Sequence, residues 1–201
     1  MDYTKKRDEV FRLARIDWVK ASEIAGSISR AWFRAQAYAA LARFASNDEL
    51  AHEYAAKALA AAKRGDDPYE TAGSASWALR ALVDRGLRTE AFAMLAELVA
   101  IAKEETIPAS RAETYLRLFH AVFPLGKEAR AVPIAALLEL EHTSPGWRSS
   151  RALRICCEML AVAEPETASR IAEQIKTPNY QRQAMTAITE KKALMLRDLF
   201  R

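Results

Sequence analysis

The amino-acid sequence predicts an all-α protein, a solenoid of about five helical hairpins that forms one helical-repeat domain over residues 1–201. Three observations carry that expectation. Arg43, Arg80, Arg117 and Arg154 stand 37 residues apart, three times running, and a fixed period between about 20 and 50 residues marks stacked repeats. Each arginine sits in a similar apolar frame: Ala42-Arg43-Phe44-Ala45, Leu79-Arg80-Ala81-Leu82, Leu116-Arg117-Leu118-Phe119 and Leu153-Arg154-Ile155-Cys156. Alanine makes up about a fifth of the chain and only 6 residues are glycine. Alanine is the best helix former and lets helices approach closely. Valine and isoleucine are too few and too scattered for a sheet.

The elements follow in order. Residues 3–15 read as an N-terminal capping helix. The first pair of helices contains Ala21, Ile24, Ala25, Ile28, Gln36, Ala37, Ala40 and Leu41, and it recurs 147 residues later as Ala168, Ile171, Ala172, Ile175, Gln183, Ala184, Ala187 and Ile188. That offset is not a multiple of 37, so loop lengths vary by a residue or two. Asp67-Pro68, Ser144-Pro145 and Thr177-Pro178 each place a capping side chain before a proline at the first helical position. Asp67 with Glu70, and Ser110 with Glu113, have the spacing of a capping box. Between the arginine-bearing helices, second helices are expected near 48–63, 88–103, 127–140 and 166–175. Turns with Gly86, Gly126 and Pro165 lead into them. Pro133 either kinks the 127–140 helix or marks a start nearer Val132. Residues 178–201 read as one long C-terminal helix.

Four columns around the arginine are almost wholly apolar. They are Tyr38, Ala75, Ala112 and Ser149; Leu41, Ala78, Tyr115 and Ala152; Ala42, Leu79, Leu116 and Leu153; and Ala45, Leu82, Phe119 and Cys156. Offsets of −5, −2, −1 and +2 from the arginine form a single helical stripe. At 100° per residue the arginine lies roughly 150° from the middle of that stripe, facing away from its own helix's core.

Composition limits the functional classes. Half of the residues are hydrophobic and 28% charged, a globular balance. The net charge of +4 is mild and without long like-charge blocks; it permits an acidic partner without requiring one. The two cysteines, Cys156 and Cys157, are adjacent and point about 100° apart on a helix, a poor geometry for a bridge. The N-terminus has no apolar signal-peptide core, and no apolar run approaches the roughly eighteen residues of a membrane span. A cytoplasmic location without membrane contact is the expectation.

Several stretches resemble the tetratricopeptide-like superfamily of αα-hairpin repeats. Leu79 to Ala93, with Gly86 in the turn and Glu90-Ala91 opening the next helix, is similar to the middle of such a repeat. So is Leu116 to Ala129, with Leu125-Gly126-Lys127-Glu128-Ala129. Tyr54, Ala58 and Asp67-Pro68 look like the end of a second helix and its exit. The family's period is 34 residues, whereas here it is nearer 37–39, and its early Trp and Leu-Gly positions are not cleanly present. The period and the capped proline starts also look like HEAT-type repeats. Either resemblance implies a right-handed αα superhelix, a protein- or peptide-binding role and no catalytic site.

The residues themselves offer no catalytic constellation. His52, His120 and His142 lie far apart, and none has a metal-ligand partner one turn away. There is no phosphate loop and no nucleophile elbow. Cys157 falls in the column of His120, where stacking would bring a thiol near an imidazole. Asp66-Asp67 and Glu104-Glu105 sit where loops and caps want acids. The expectation is a non-enzymatic scaffold with no metal and no cofactor.

A binding surface remains. Trp77 is three residues before Arg80, Trp147 seven before Arg154, and Arg151 occupies the Trp77 column in the fourth repeat. Trp77, Arg80, Arg117, His120, Trp147, Arg151 and Arg154 would then share one wall. That mixture suits a protein or peptide segment with acidic and apolar residues, or, as the alternative, a nucleic acid with bases stacked on the tryptophans. Two readings weigh against it. Asp84, Glu113 and Glu158 stand four residues from Arg80, Arg117 and Arg154, so the arginines are expected to pair within their own helices. The tryptophans could equally be buried against a neighbouring hairpin. Finally, the end of the chain, Ala193-Leu194-Met195-Leu196-Arg197-Asp198-Leu199-Phe200-Arg201, is apolar. It either folds back on the last hairpin or forms a homodimer contact, because an array needs a polar outer cap.

Overall fold

The structure, a computed structural model, describes residues 2–192 and Phe200. Among these the regular structure is helical throughout: α1 (Tyr3–Leu13), α2 (Trp18–Gly26), α3 (Ala31–Arg43), α4 (Asp48–Ala62), α5 (Pro68–Asp84), α6 (Arg88–Lys103), α7 (Pro108–Val122), α8 (Lys127–Thr143), α9 (Trp147–Leu160), α10 (Pro165–Ala172) and α11 (Pro178–Thr189), with a short 3₁₀ turn at Phe123–Leu125. The protein is therefore all-α. None of these helices is long and apolar enough to cross a membrane.

Local chemistry accounts for most of the helix starts. The side chains of Asp2, Asp17, Asn47 and Asp67 accept from the backbone N–H groups of Lys5, Lys20, Leu50 and Glu70. Each satisfies one of the donors that the first turn leaves unpaired. At Asp67 only this half of the capping box forms, because the Glu70 carboxylate faces Arg30 at 3.8 Å. Two expected starts are corrected. α7 opens at Pro108 behind Ile107, which places Ser110 inside the helix. α9 opens at Trp147 behind Gly146, so Ser144 caps nothing there. Thr177 does precede α11, but its hydroxyl meets Ser150 Oγ at 2.8 Å instead of capping the backbone. Helix α8 runs through Pro133 without restarting at Val132. Gly86 and Gly126 have φ of 75° and 100°, the left-handed region where a side chain is strained.

The last helix is shorter than the 178–201 expected. It ends at Thr189, and Lys191 has φ of 50°. Residues 193–199 and 201, which make up most of the apolar end, lie outside the described residues.

The four apolar columns are buried, with Tyr38 alone half-exposed. Packing follows a regular order. Each of α1, α3, α5, α7 and α9 touches the next odd-numbered helix, and every even-numbered helix packs on the odd ones before and after it. Among successive even helices only α6 and α8 make more than marginal contact.

Polar links bridge one hairpin to the next. Arg85 donates to the Ala45 carbonyl at 2.6 Å, and its other nitrogen meets Asp48 at 2.7 Å. Arg88 donates to the Leu125 carbonyl at 3.1 Å. Arg130 pairs with Glu164, both partly buried. These partners are 34 to 40 residues apart, so positions separated by roughly the arginine spacing along the sequence are neighbours in space. Near the end of α8, buried Glu141 accepts from Ser149 and Ser150 of α9 and from the Lys176 amide at 2.8 Å. One carboxylate thus ties α8 and α9 to the segment before α11.

Candidate binding surface

The arginine column lies on one face of the odd-numbered helices, as its offset from the apolar stripe requires. All four arginines are partly buried, because a long guanidinium side chain covers apolar surface with its stem. Their partners differ. Arg80 pairs with Asp84 at 2.7 Å, the expected spacing of four. Arg43 reaches the other oxygen of the same carboxylate at 2.7 Å from the preceding hairpin. Arg154 pairs with Glu158 in its own helix. Glu113, expected to neutralise Arg117, is held instead by Arg151 of α9 at 3.4 Å. Arg117 therefore has no carboxylate partner among the described residues. Its guanidinium lies 5.8 Å from the Trp32 ring, and its Nε is buried without a hydrogen bond.

His120 lies one turn on, only 7% exposed. Burial, and then the nearby Arg117 and Arg80 guanidinium groups, hold its imidazole down at about 4 against an ordinary 6.5. It is neutral at pH 7. Its backbone carbonyl accepts from Arg80 at 3.4 Å, while Nε2 has no partner.

Trp77 is 9% exposed. Its ring meets Phe11 edge-on at 5.4 Å and Phe200 edge-on at 5.5 Å, and the Arg7 guanidinium stands 6.0 Å from it. Phe11 comes from α1 and Trp77 from α5, two odd-numbered helices that have α3 between them. Trp32 of α3 and Arg117 of α7 are related in the same way. Gly73 of α5 makes room for that reach, since a Cβ there would stand 3.1 Å from Trp32 Cη2.

Trp147 does not join this group. It is 56% exposed at the start of α9, with Arg148 4.9 Å from its ring. It lines a separate surface hollow of about 310 Å³ with Ile107, Pro108 and Pro145. Of the seven residues singled out from the sequence, Trp77, Arg80, Arg117 and His120 are linked to one another or to shared neighbours. Arg151 and Arg154 continue the face along α9, Arg154 lying 5.8 Å from the Tyr180 ring.

The sequence reading missed Phe11, Trp32, Arg7 and Phe200. Their only signal was aromatic or basic character outside the repeat, and nothing in the spacing relates Phe200 to Trp77. The thiol and imidazole that share a sequence column make no contact with each other among the described interactions. Cys157 Sγ donates to the Ala168 carbonyl at 3.4 Å, and burial, then Glu158, push the thiol up to about 12. That is the reverse of activation. Cys156 and Cys157 are both free and buried. Comparison with protein-family models, with curated proteins and with solved structures found nothing that matches the chain.

Proposed function

We propose that the hairpins stack as a right-handed αα superhelix of the tetratricopeptide-like or HEAT-like kind, and that its inner wall is a non-enzymatic protein- or peptide-binding surface. Two features support the curvature. Side chains of second-neighbour odd helices meet, as on the inside of a bend, in Phe11–Trp77 and Trp32–Arg117. The even helices hardly touch one another, as on the outside.

The observation that carries the binding reading is Arg117. A partly buried cation beside a neutral imidazole, with a buried Nε and no carboxylate partner among the described residues, keeps a desolvation cost that an incoming carboxylate would offset. Trp32 beside it supplies apolar contact. The partner that fits is a peptide or protein segment with acidic and apolar residues. A nucleic acid fits less well: Arg43, Arg80 and Arg154 already hold Asp84 and Glu158, and few cations are left for phosphates. No homodimer is needed to bury Phe200, which packs within its own chain.

Selection from a displayed peptide library tests the reading. Peptides with acidic and apolar residues should be enriched on the native chain, and Arg117→Glu should weaken them by about tenfold or more, the worth of one charge-assisted contact. Failure to enrich such peptides, or equal affinity for Arg117→Glu, overturns it. Tight binding of single-stranded DNA that falls steeply with salt would favour the nucleic acid instead.

A further inference from the structure

Phe200 is 3% exposed, yet eight positions separate it from Lys192, beyond the end of α11. It is held by groups from α3 and α5, more than a hundred residues earlier in the chain. Its ring meets the Trp77 edge at 77° and 5.5 Å, and the Arg80 guanidinium stands 5.8 Å from it. Its backbone carbonyl accepts from Arg43 Nη1 at 3.1 Å. Phe11 meets the Trp77 ring edge-on at 5.4 Å. The socket is set in advance by Asp84, whose two oxygens each hold one of these arginines at 2.7 Å. Both guanidinium groups are therefore fixed where an aromatic ring and a main-chain carbonyl are received.

An aromatic side chain gripped by a second ring and a cation, with its carbonyl hydrogen-bonded to another cation, is one way a peptide residue is anchored on a surface. Phe123 is held in a similar way within its own hairpin, by Phe119 and Arg130; what sets Phe200 apart is that its grip comes from helices more than a hundred residues earlier in the chain. We infer that Arg43, Trp77 and Arg80, with Phe11 packed on Trp77, form a socket for an aromatic residue of a bound peptide, and that Phe200 is its intramolecular occupant, which a partner's aromatic anchor must displace. The inference rests on the binding role proposed for the wall and names the anchor residue that its partners carry. An occupant on the same chain competes intramolecularly, without dilution. A competing segment then binds with an affinity reduced by the fraction of open sockets.

The test uses the full chain labelled with 5-fluorotryptophan, its Trp77 resonance assigned through Trp77→Phe, and the synthetic peptide acetyl-Asp-Leu-Phe-Arg-amide as probe. Phe200→Ala should shift the Trp77 fluorine resonance. Probe titrated into Phe200→Ala should move it back toward the native position, at about tenfold lower concentration than it acts on the native chain. The same peptide with alanine for phenylalanine should do nothing. A Trp77 resonance identical in the native chain and Phe200→Ala overturns the inference, as does a probe without effect on Phe200→Ala. Loss of the helical circular dichroism signal in Phe200→Ala overturns it too, since a residue the fold needs is not an exchangeable ligand. Library peptides that depend on Arg117 but bind the native chain and Phe200→Ala equally leave the wall reading standing and remove this one. If the library yields none while the probe behaves as expected, the wall reading fails and the socket stands.

Discussion

A neutral imidazole beside two guanidinium groups gives the fold its clearest pH dependence. With His120 held at about 4 when folded and 6.5 as its ordinary value, the unfolded chain binds more protons between those values. Stability from this residue is full above about pH 6.5 and is lost as pH falls toward 4. By about pH 4.5 the loss is on the order of 2 kcal/mol. His120→Phe should abolish that share, read as a smaller drop in urea midpoint between pH 7 and pH 4.5 than the native chain shows. An equal drop would mean that His120 is open to solvent. Cys157, pushed up to about 12 and buried, should stay unreactive to a thiol-specific disulfide reagent at pH 8 until the chain is unfolded; rapid native labelling would contradict its burial. The spacing rule that read Arg80–Asp84 and Arg154–Glu158 correctly failed at Arg117 for a physical reason. It sees only one helix, and Glu113 was captured by Arg151 across the next.

At the scale of the element, caps and buried polar groups set the costs. Asp67 caps α5 at 2.6 Å, so Asp67→Ala should lower stability by about 1 kcal/mol. Ser144→Ala, at a position that makes no cap to α9, should change it by less than about 0.5 kcal/mol. Comparing the two chemical-denaturation midpoints checks both; an equal loss would return Ser144 to a capping role. The extents of the second helices were legible because glycine turns and apolar stripes are local signals. Ser144 misled because a proline marks the neighbourhood of a start without fixing which residue caps it. Here Gly146 takes the extended cap conformation, and Ser149 is directed to Glu141. The Glu141 junction could not be read at all, since its partners are joined only when α8, α9 and the segment before α11 have packed.

Across the whole molecule, the 37-residue period was legible because adjacent hairpins meet through equivalent positions, as the Arg85–Asp48 and Arg88–Leu125 links demonstrate. The Phe200 contact was not, since it skips that order and joins a residue 157 positions away to Arg43. The two kinds of contact have opposite effects on cooperativity. Neighbour-only coupling lets an array open from one end, while a long-range tie makes distant helices share a fate. Glu141→Ala leaves the Ser150 hydroxyl and the Lys176 amide without this acceptor and Ser149 with the Gly146 carbonyl alone, a loss of about 3 kcal/mol concentrated at one junction. Under the proposed stack, hydrogen exchange in α10 and α11 should accelerate by about tenfold or more, while α3 to α5 change by less than about twofold. Acceleration of equal size in α3–α5 and α10–α11 would mean that the helices form one closed cooperative body, and the stack would have to be abandoned. Adding Phe200→Ala sharpens the comparison. With the Phe200 tie removed, the double variant should leave exchange in α3–α5 no faster than Phe200→Ala alone.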